Sequence, residues 1–405
     1  MSAARIDGDA LGADLDALAA IGATADGGVT RPAYSKADLR ARDWVDARCA
    51  EFGMSVRRDA AGNSIAILPG DDPGLGAIAV GSHTDTVPEG GRFDGALGVL
   101  AGLACVRAVR QDGLRLRHPI ALINFEAEEA TMGGATFGSR AFVGALDPET
   151  LDRLAFDGAS VRSHLERAGL DPARVAEAGT DREPIAAFLE LHVEQGRVLE
   201  DAGVPIGIVE GIVAVRRHLV TFRGTADHAG TTPMAARDDA LVSAAPFIVA
   251  VRDAALRHGV VATVGTLRVR PGAPNVIPGS VELDLEMRST GDARLTATEQ
   301  ELERIAAAAG GAMRRISAKP PQAFSEEPLA CLERASARLG LPCRRMWSGA
   351  GHDAGVLAAV TDAAMLFVPS RGGLSHSAGE FTAHADCVNG ADVLLQAIVE
   401  LDALA

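Results

Sequence analysis

Ser82-His83-Thr84-Asp85-Thr86-Val87-Pro88, followed by Gly90-Gly91-Arg92-Phe93-Asp94-Gly95, sets one histidine and two aspartates within a dozen residues of each other. The stretch follows a short apolar run, Ala77-Ile78-Ala79-Val80, and precedes a helix-like apolar run over 96–109. In open α/β sheets ligands bind at such strand-to-helix junctions, at the carboxyl ends of the strands. An imidazole and carboxylates gathered there suit a metal ion. Asp85, two residues from His83, can take the second ring N–H and fix the tautomer. Taken alone, Asp94 beside Gly95 reads first as the N-cap of the next helix. A lone histidine serves packing more often than ligation, so the metal reading stands only if later stretches supply more ligands.

They offer several. Phe125-Glu126-Ala127-Glu128-Glu129 puts three glutamates at the end of an apolar run, and a buried strand would deliver them to the same sheet edge. Adjacent side chains point different ways, so Glu128 and Glu129 can divide two jobs, one binding metal and the other taking a proton from the attacking water. Leu191-His192-Val193-Glu194-Gln195-Gly196 repeats the pattern of strand end plus histidine. Further histidines sit in glycine-rich junctions at His228, His352 and His376. His118, His164, His218 and His258 lack such a context and read as surface or packing residues.

The elements that must position these residues are legible in outline. Residues 35–52 read as a helix capped by Ser35 and stopped by Gly53, with Ala41, Val45, Cys49 and Phe52 on one face. Apolar runs at 77–80, 120–125, 188–191 and 363–368 read as buried strands, and the first three lead straight into His83, the Glu126–Glu129 cluster and His192. Strands alternating with helices favour a parallel or mixed sheet covered on both faces. Residues 147–186 are charged and helix-like, an excursion between strands.

From about residue 215 the texture changes. A half-exposed strand at 218–223, a long Ala-rich helix over 233–258, strands at 263–269 and 280–288, a helix at 296–309 and a strand at 313–318 give a β-α-β-β-α-β order. That is a ferredoxin-like unit. Lys319-Pro320-Pro321 marks its exit. The expected organisation is therefore a discontinuous α/β domain, 1–213 with 326–405, interrupted by an inserted α+β domain, 214–325.

Bulk properties agree with a two-domain globular chain. At 405 residues it exceeds one ordinary core. A formal net charge of −15 argues against a nucleic-acid partner. Five scattered cysteines without a Cys-x-x-Cys pair fit reduced thiols and a cytoplasmic location. The acidic start does not read as a signal peptide, and no apolar run is long enough to span a membrane.

In these motifs, Gly81-Ser-His-Thr-Asp-Thr-Val-Pro-x-Gly-Gly-x-Phe-Asp-Gly, Leu191-His-Val-Glu-Gln-Gly, His228-Ala-Gly-Thr-Thr-Pro-Met and Gly373-Leu-Ser-His, the chain resembles the M20 metallopeptidase superfamily. More narrowly it resembles the amidase branch of N-carbamoyl-L-amino acid hydrolases, β-ureidopropionases and allantoate amidohydrolases. The likeness runs from about residue 27 to the C-terminus in unbroken order. It implies a zinc-peptidase-like α/β catalytic domain with a mixed sheet and a ferredoxin-like lid and dimerisation domain.

It also implies roles. His83 would bind one of two divalent ions, Asp94 would bridge both, Glu129 and His192 would each complete one ion's set, and His376 would be the fifth ligand. Nitrogen and oxygen donors suit Zn²⁺ first, with Mn²⁺, Co²⁺ or Ni²⁺ as alternatives. Glu128 would be the general base, with Asp85 behind His83. His228, on the insert, would donate to the transition state, in relatives reaching a neighbouring subunit's site. Gln195, Asn275 and Arg288 would hold a substrate carboxylate, with Arg216 a further candidate for that pocket.

Two departures stand out. Relatives usually follow the paired glutamates with an Arg-Phe element, where this chain has Ala130-Thr131-Met132-Gly133-Gly134. After His376, the run Ser377-Ala378-Gly379-Glu380 differs from the Pro-and-acid pattern. His384 is a rival to His376, but Gly-Leu-Ser-His is the matching context. The implied activity is cleavage of the carbamoyl C–N bond of a small carboxylate-bearing ureido substrate by a homodimer. N-carbamoyl-L-amino acids come first, and allantoate or N-carbamoyl-β-alanine are the alternatives. The contrasting reading is a metal-binding relative without catalysis, against which Glu128, Glu129 and all the ligand positions stand intact.

Overall fold

The computed structural model describes residues 4–180, 182 and 184–404. Residues 1–3 of the acidic start, and Asp181 and Glu183 of the expected 147–186 excursion, lie outside the described residues. The chain divides into two compact units, Met1–Gly211 with Ala323–Ala405, and Ile212–Gln322. These limits fall two and three residues before the expected 213/214 and 325/326.

The strands of the first unit up to the insert are β1 (Ser55–Arg58), β2 (Ser64–Leu68), β3 (Ala77–His83), β4 (Ile120–Phe125), β5 (Ile185–Val193) and β6 (Ile206–Ile212). The insert carries β7 (Ala214–Arg223), β8 (Val261–Arg270), β9 (Ser280–Ser289) and β10 (Gly311–Lys319). After it come β11 (Gln322–Ala323), β12 (Cys343–Ser348) and β13 (Asp362–Val368).

The large sheet is mixed, in the order β1-β2-β4-β3-β5-β13-β6-β11, with β12 paired to β6. At its centre β4, β3, β5 and β13 run parallel. Every residue of β3 and β4 is buried, the signature of strands covered on both faces. Helices Ala96–Gln111 and His384–Leu404 pack on each other and against these strands. Because the four central strands share one direction, their carboxyl ends open at one edge. His83 ends β3, Glu126–Glu129 follow β4, His192 lies near the end of β5, and the loop bearing His376 follows β13.

The 147–186 excursion is helical only in pieces: turns of 3₁₀ helix at Pro148–Asp152 and Pro172–Gly179, and an α-helix at Val161–Arg167. These build a satellite core with Tyr34, Phe137, Leu151, Val161 and Leu165. Ala127 and Met132, which bracket the paired glutamates, are both wholly buried in it.

The insert folds in the order expected, with its sheet ordered β10-β7-β9-β8 and every pairing antiparallel. Strict alternation along β9 sends Val281, Leu283, Leu285 and Met287 inward against Phe247 and Leu302 of its two helices. One helix is shorter than expected. It spans Ala240–His258 rather than starting at 233, because Asp239 caps it through the N–H groups of Leu241 and Val242. Residues before it are held instead by Arg237, whose guanidinium donates to the carbonyls of Thr232 and Ala229. No helix among the described residues is long and apolar enough to cross a membrane.

Candidate metal centre

At the carboxyl edge of the large sheet, three groups of ligand-type atoms converge among the described residues: His83, Asp94 and His192; Asp94, Glu129 and His376; and Glu190, His192 and His352, with the donor atoms of each group within 4.8 Å of one another. Asp94 belongs to the first two. Its Oδ1 lies 3.5 Å from Nε2 of His83 and 3.2 Å from Nε2 of His192, and its Oδ2 lies 3.5 Å from Nε2 of His376. Nε2 of His376 is also 3.4 Å from Oε1 of Glu129.

The N-cap reading of Asp94 is set aside by this geometry. Helix Ala96–Gln111 has Gly95 at its N-cap and no side chain bonded there. Gly95 sits at φ 64, and a Cβ on it would lie 2.4 Å from the His83 ring. Glycine thus lets the backbone turn left-handed and the imidazole lie against it.

The residues fit a divalent ion in a way that does not depend on proximity alone. Nδ1 of His83 lies 3.0 Å from the carbonyl of Asp85, and Nδ1 of His192 lies 2.9 Å from the carbonyl of Val193. Each carbonyl takes the proton on Nδ1 and so turns Nε2 toward the cluster. Nε2 of His192 also lies 3.2 Å from the Gly95 nitrogen. Asp85 does this work differently from the expectation. Its backbone carbonyl takes the ring N–H, and its carboxylate, 3.6 Å off, accepts the N–H groups of Glu128 and Glu129 at 3.2 Å each. One residue therefore orients the imidazole and the loop bearing both glutamates.

The three glutamates after β4 divide their tasks. Glu126 turns inward to Arg42, 2.5 Å away, while Arg42 also donates to the carbonyl of Asn124 and thus ties down the end of β4. Glu128 and Glu129 face the cluster, with Oε2 of Glu128 3.6 Å from Nε2 of His83.

Packing so many acids and rings together sets their protonation. Burial would raise Asp94, but the His192 and His83 rings outweigh it and hold the carboxyl well below the usual range. Glu128 is held well above it by burial, against the pull of His83 and with Asp353 and Glu129 adding to the push. Glu129 is pushed up to about 8 by burial and by Asp94.

The remaining expected site residues fall in three places. Gln195, at φ 58, donates from Nε2 to Oδ2 of Asp94 at 2.7 Å, while its Oε1 is buried with no protein partner. His228, Asn275 and Arg288 belong to the insert. Nδ1 of His228 accepts the Gly230 N–H at 3.0 Å, which puts the ring proton on Nε2. The carbonyl of Asn275, in the segment between β8 and β9, accepts the Ala229 N–H at 3.0 Å, and Arg288 lies beside Glu286 on β9. Arg216 must be withdrawn from the substrate pocket. It is buried on the helix-facing side of β7, paired with Glu299 at 2.5 Å and Asp292 at 2.7 Å, so its charge is satisfied inside the insert.

His384 lies outside the cluster, its ring against Gly8 and Gly12 of the first helix. The sequence reading gave no role to Ser375 or Glu380. Ser375 Oγ donates to Oδ2 of Asp94 at 2.7 Å, and Glu380 accepts the N–H groups of Phe93 and Asp94. The signal was present in Leu374-Ser375-His376 and in the acid four residues beyond it. His352, also without a role, packs its ring edge-on to His192 at 4.6 Å.

Comparison with known proteins places this geometry. The model of peptidase family M20/M25/M40 matches residues 79–400. The chain is 39% identical over 407 residues to an N-carbamoyl-L-amino acid amidohydrolase of Geobacillus stearothermophilus, covering 98% of this chain and 99% of the relative. To an allantoate amidohydrolase of Bacillus subtilis it is 34% identical over 396 residues, 95% of each chain. A crystal structure of an amidase of the hydantoinase/carbamoylase family from Burkholderia multivorans superposes with a TM-score of 0.88 at 36% identity, covering 98% of each chain. By sequence, fold and convergent ligand groups alike, the chain belongs to the M20/M25/M40 peptidase family, in its hydantoinase/carbamoylase amidase branch.

Proposed function

We propose that this chain is a dinuclear metal amidohydrolase that cleaves the carbamoyl C–N bond of N-carbamoyl-L-amino acids. Its family makes it a metal-dependent hydrolase of C–N amide bonds. The observation that carries the two-ion reading is Asp94, one carboxylate whose two oxygens face two separate ligand groups. His83, Asp94 and His192 would hold one ion and Asp94, Glu129 and His376 the other, Zn²⁺ first, with Mn²⁺, Co²⁺ or Ni²⁺ as alternatives. Bound there, such ions would supply a water of lowered pKa and a polarised scissile carbonyl.

The chain's own residues do the rest. Glu128 takes the proton of the water as it attacks the ureido carbon and returns it to the nitrogen that leaves. Its raised affinity for a proton suits both halves of that task. Water and ureide together yield the amino acid, carbon dioxide and ammonia. His228, with its proton on Nε2, would donate to the developing oxyanion. Asn275 and Arg288 would bind the substrate carboxylate, Arg288 by a bidentate pair.

A second reading, allantoate as substrate, is favoured by the likeness to the Bacillus subtilis allantoate amidohydrolase. N-carbamoyl-β-alanine is the third substrate to try. The experiment is ammonia release from all three after addition of each ion. Glu128→Gln should abolish release while metal stays bound; full activity in that variant would refute the general-base role, and a chain inert toward all three would refute the substrate class.

The insert supports a homodimer. Val242, Val249 and Leu256 recur every seven residues along helix Ala240–His258 and are 62–72% exposed, and edge strand β8 adds exposed Val261 and Leu267. Sedimentation of the wild type and of Val249→Glu tests this: a wild-type monomer would exclude it. All five cysteines are free, which suits a reducing cytoplasm.

A further inference from the structure

His376 is the least protected member of the ligand set. Its side chain is 49% exposed, its φ is 53, and it sits in a loop with Gly372 and Gly373 at φ 65 and 66. Neither helix nor strand holds it. Four residues on, Glu380 is only 4% exposed.

The Glu380 carboxylate reaches across to the turn that carries Asp94. Oε1 accepts the N–H of Phe93 at 2.7 Å and of Asp94 at 3.0 Å. Ser375 Oγ, 2.7 Å from Oδ2 of Asp94, lies 3.3 Å from Oε2 of Glu380. Phe381 packs its ring edge-on to Phe93 at 6.1 Å. The turn is shaped in return. A Cβ on Gly91 would lie 2.1–2.3 Å from the carboxylate of Glu380, so only glycine admits it. We propose that Glu380 is a positioning residue, a latch that joins the His376 loop to the Asp94 turn and so assembles the Asp94, Glu129 and His376 group. The idea rests on the two-ion reading.

The latch acts on one group selectively. His83 and His192 stand on strands β3 and β5 and are held by carbonyls, independent of Glu380. His376 has no such support, and Asp94 Oδ2 is steered by Ser375 from the same loop. Release of Glu380 therefore frees His376 and leaves the histidine pair in place.

Metal titration against a chromophoric chelator, with Zn²⁺ or Mn²⁺ as probe, reads this without an assay of activity. The wild type should take two ions per chain. In Glu380→Ala the first should bind as before and the second about ten- to a hundredfold more weakly, the usual scale for a partner that orients ligands. Gly91→Ala, which excludes the carboxylate sterically, should do the same, and the double variant should be no worse than either single one. Glu380→Gln should recover most of the affinity, because its amide oxygen still accepts both N–H groups. Equal weakening of both ions in Glu380→Ala and Gly91→Ala, or unchanged second-ion affinity in both, would overturn the latch alone. A wild type that takes only one ion would overturn the two-ion reading and the latch together.

Discussion

Nε2 of Gln195 donates to Oδ2 of Asp94 at 2.7 Å, so the glutamine matched by resemblance to substrate binding is hydrogen-bonded to the carboxylate shared by both ligand groups. Its φ of 58 is a conformation few non-glycine residues adopt, and the turn sustains it. Gln195→Ala should therefore weaken metal binding about ten- to a hundredfold, together with kcat. If KM alone rose and chelator competition showed unchanged metal affinity, Gln195 would act on the substrate and not on Asp94.

Gly95→Ala asks more of the fold. The new Cβ would meet the His83 ring at 2.4 Å and sit at a left-handed φ. The conformation alone costs roughly 1–2 kcal/mol, and the ring must leave its place as well. Thermal unfolding should shift down by a few degrees, and the His83 side of the cluster should lose its ion. Unchanged metal stoichiometry would show that the ring has room to retreat.

Metal affinity should depend on pH in a definite sense. Glu129 is pushed up to about 8, so below that pH it carries a proton that an incoming ion must displace. Affinity for the ion on the Glu129 side should climb from about pH 6 to about pH 8 and then level off, with proton release falling as it does. Calorimetry in buffers of different ionisation enthalpy measures that release directly. A flat profile would remove Glu129 from the ligand set.

The insert has its own pH dependence. Burial would raise Glu299, but Arg315, His218 and Arg216 outweigh it and hold the carboxyl at about 2. A depressed folded-state value stabilises the fold above the ordinary glutamate range near 4.5 and withdraws that stability as pH falls toward 2. Acid unfolding followed by circular dichroism should show a transition in that window for the wild type. In Glu299→Gln it should be blunted, and the variant should be less stable at neutral pH because buried Arg216 and His218 lose their anion.

His228 and Glu128 are proposed to act on the same substrate from different parts of a dimer. Mixing inactive Glu128→Gln chains with inactive His228→Ala chains should then restore part of the activity through hybrid dimers. No recovery, with subunit exchange demonstrated, would confine each site to one chain.

Much of the architecture was written locally. The runs at 77–80, 120–125 and 363–368 are apolar on both faces, and that pattern leaves a strand no place but the middle of a covered sheet. The β-α-β-β-α-β order of the insert follows from periodicity alone, since each element there buries one face against its neighbours. The ligand-type residues were legible too, because His83, His192 and the glutamates each stand at the carboxyl end of a strand of the parallel set. The beginning of the helix at 240 was not, because the Ala-rich run looks helical from 233 and only the side chain of Asp239 decides where it starts.

What tertiary structure decided is which atoms meet. Asp94 could have capped a helix or joined two ligand groups; Gly95 takes the N-cap, and the carboxylate faces His83, His192 and His376 with Gln195 and Ser375 on its Oδ2. Glu126, Glu128 and Glu129 are alike in sequence and unlike in space, one paired with buried Arg42 and two facing the cluster. Arg216 looked free for a substrate and is bound to Glu299, 83 residues away. Chain-local patterns report which face of an element is buried. They carry no record of partners brought together from distant strand ends, and the chemistry of this centre depends on those partners.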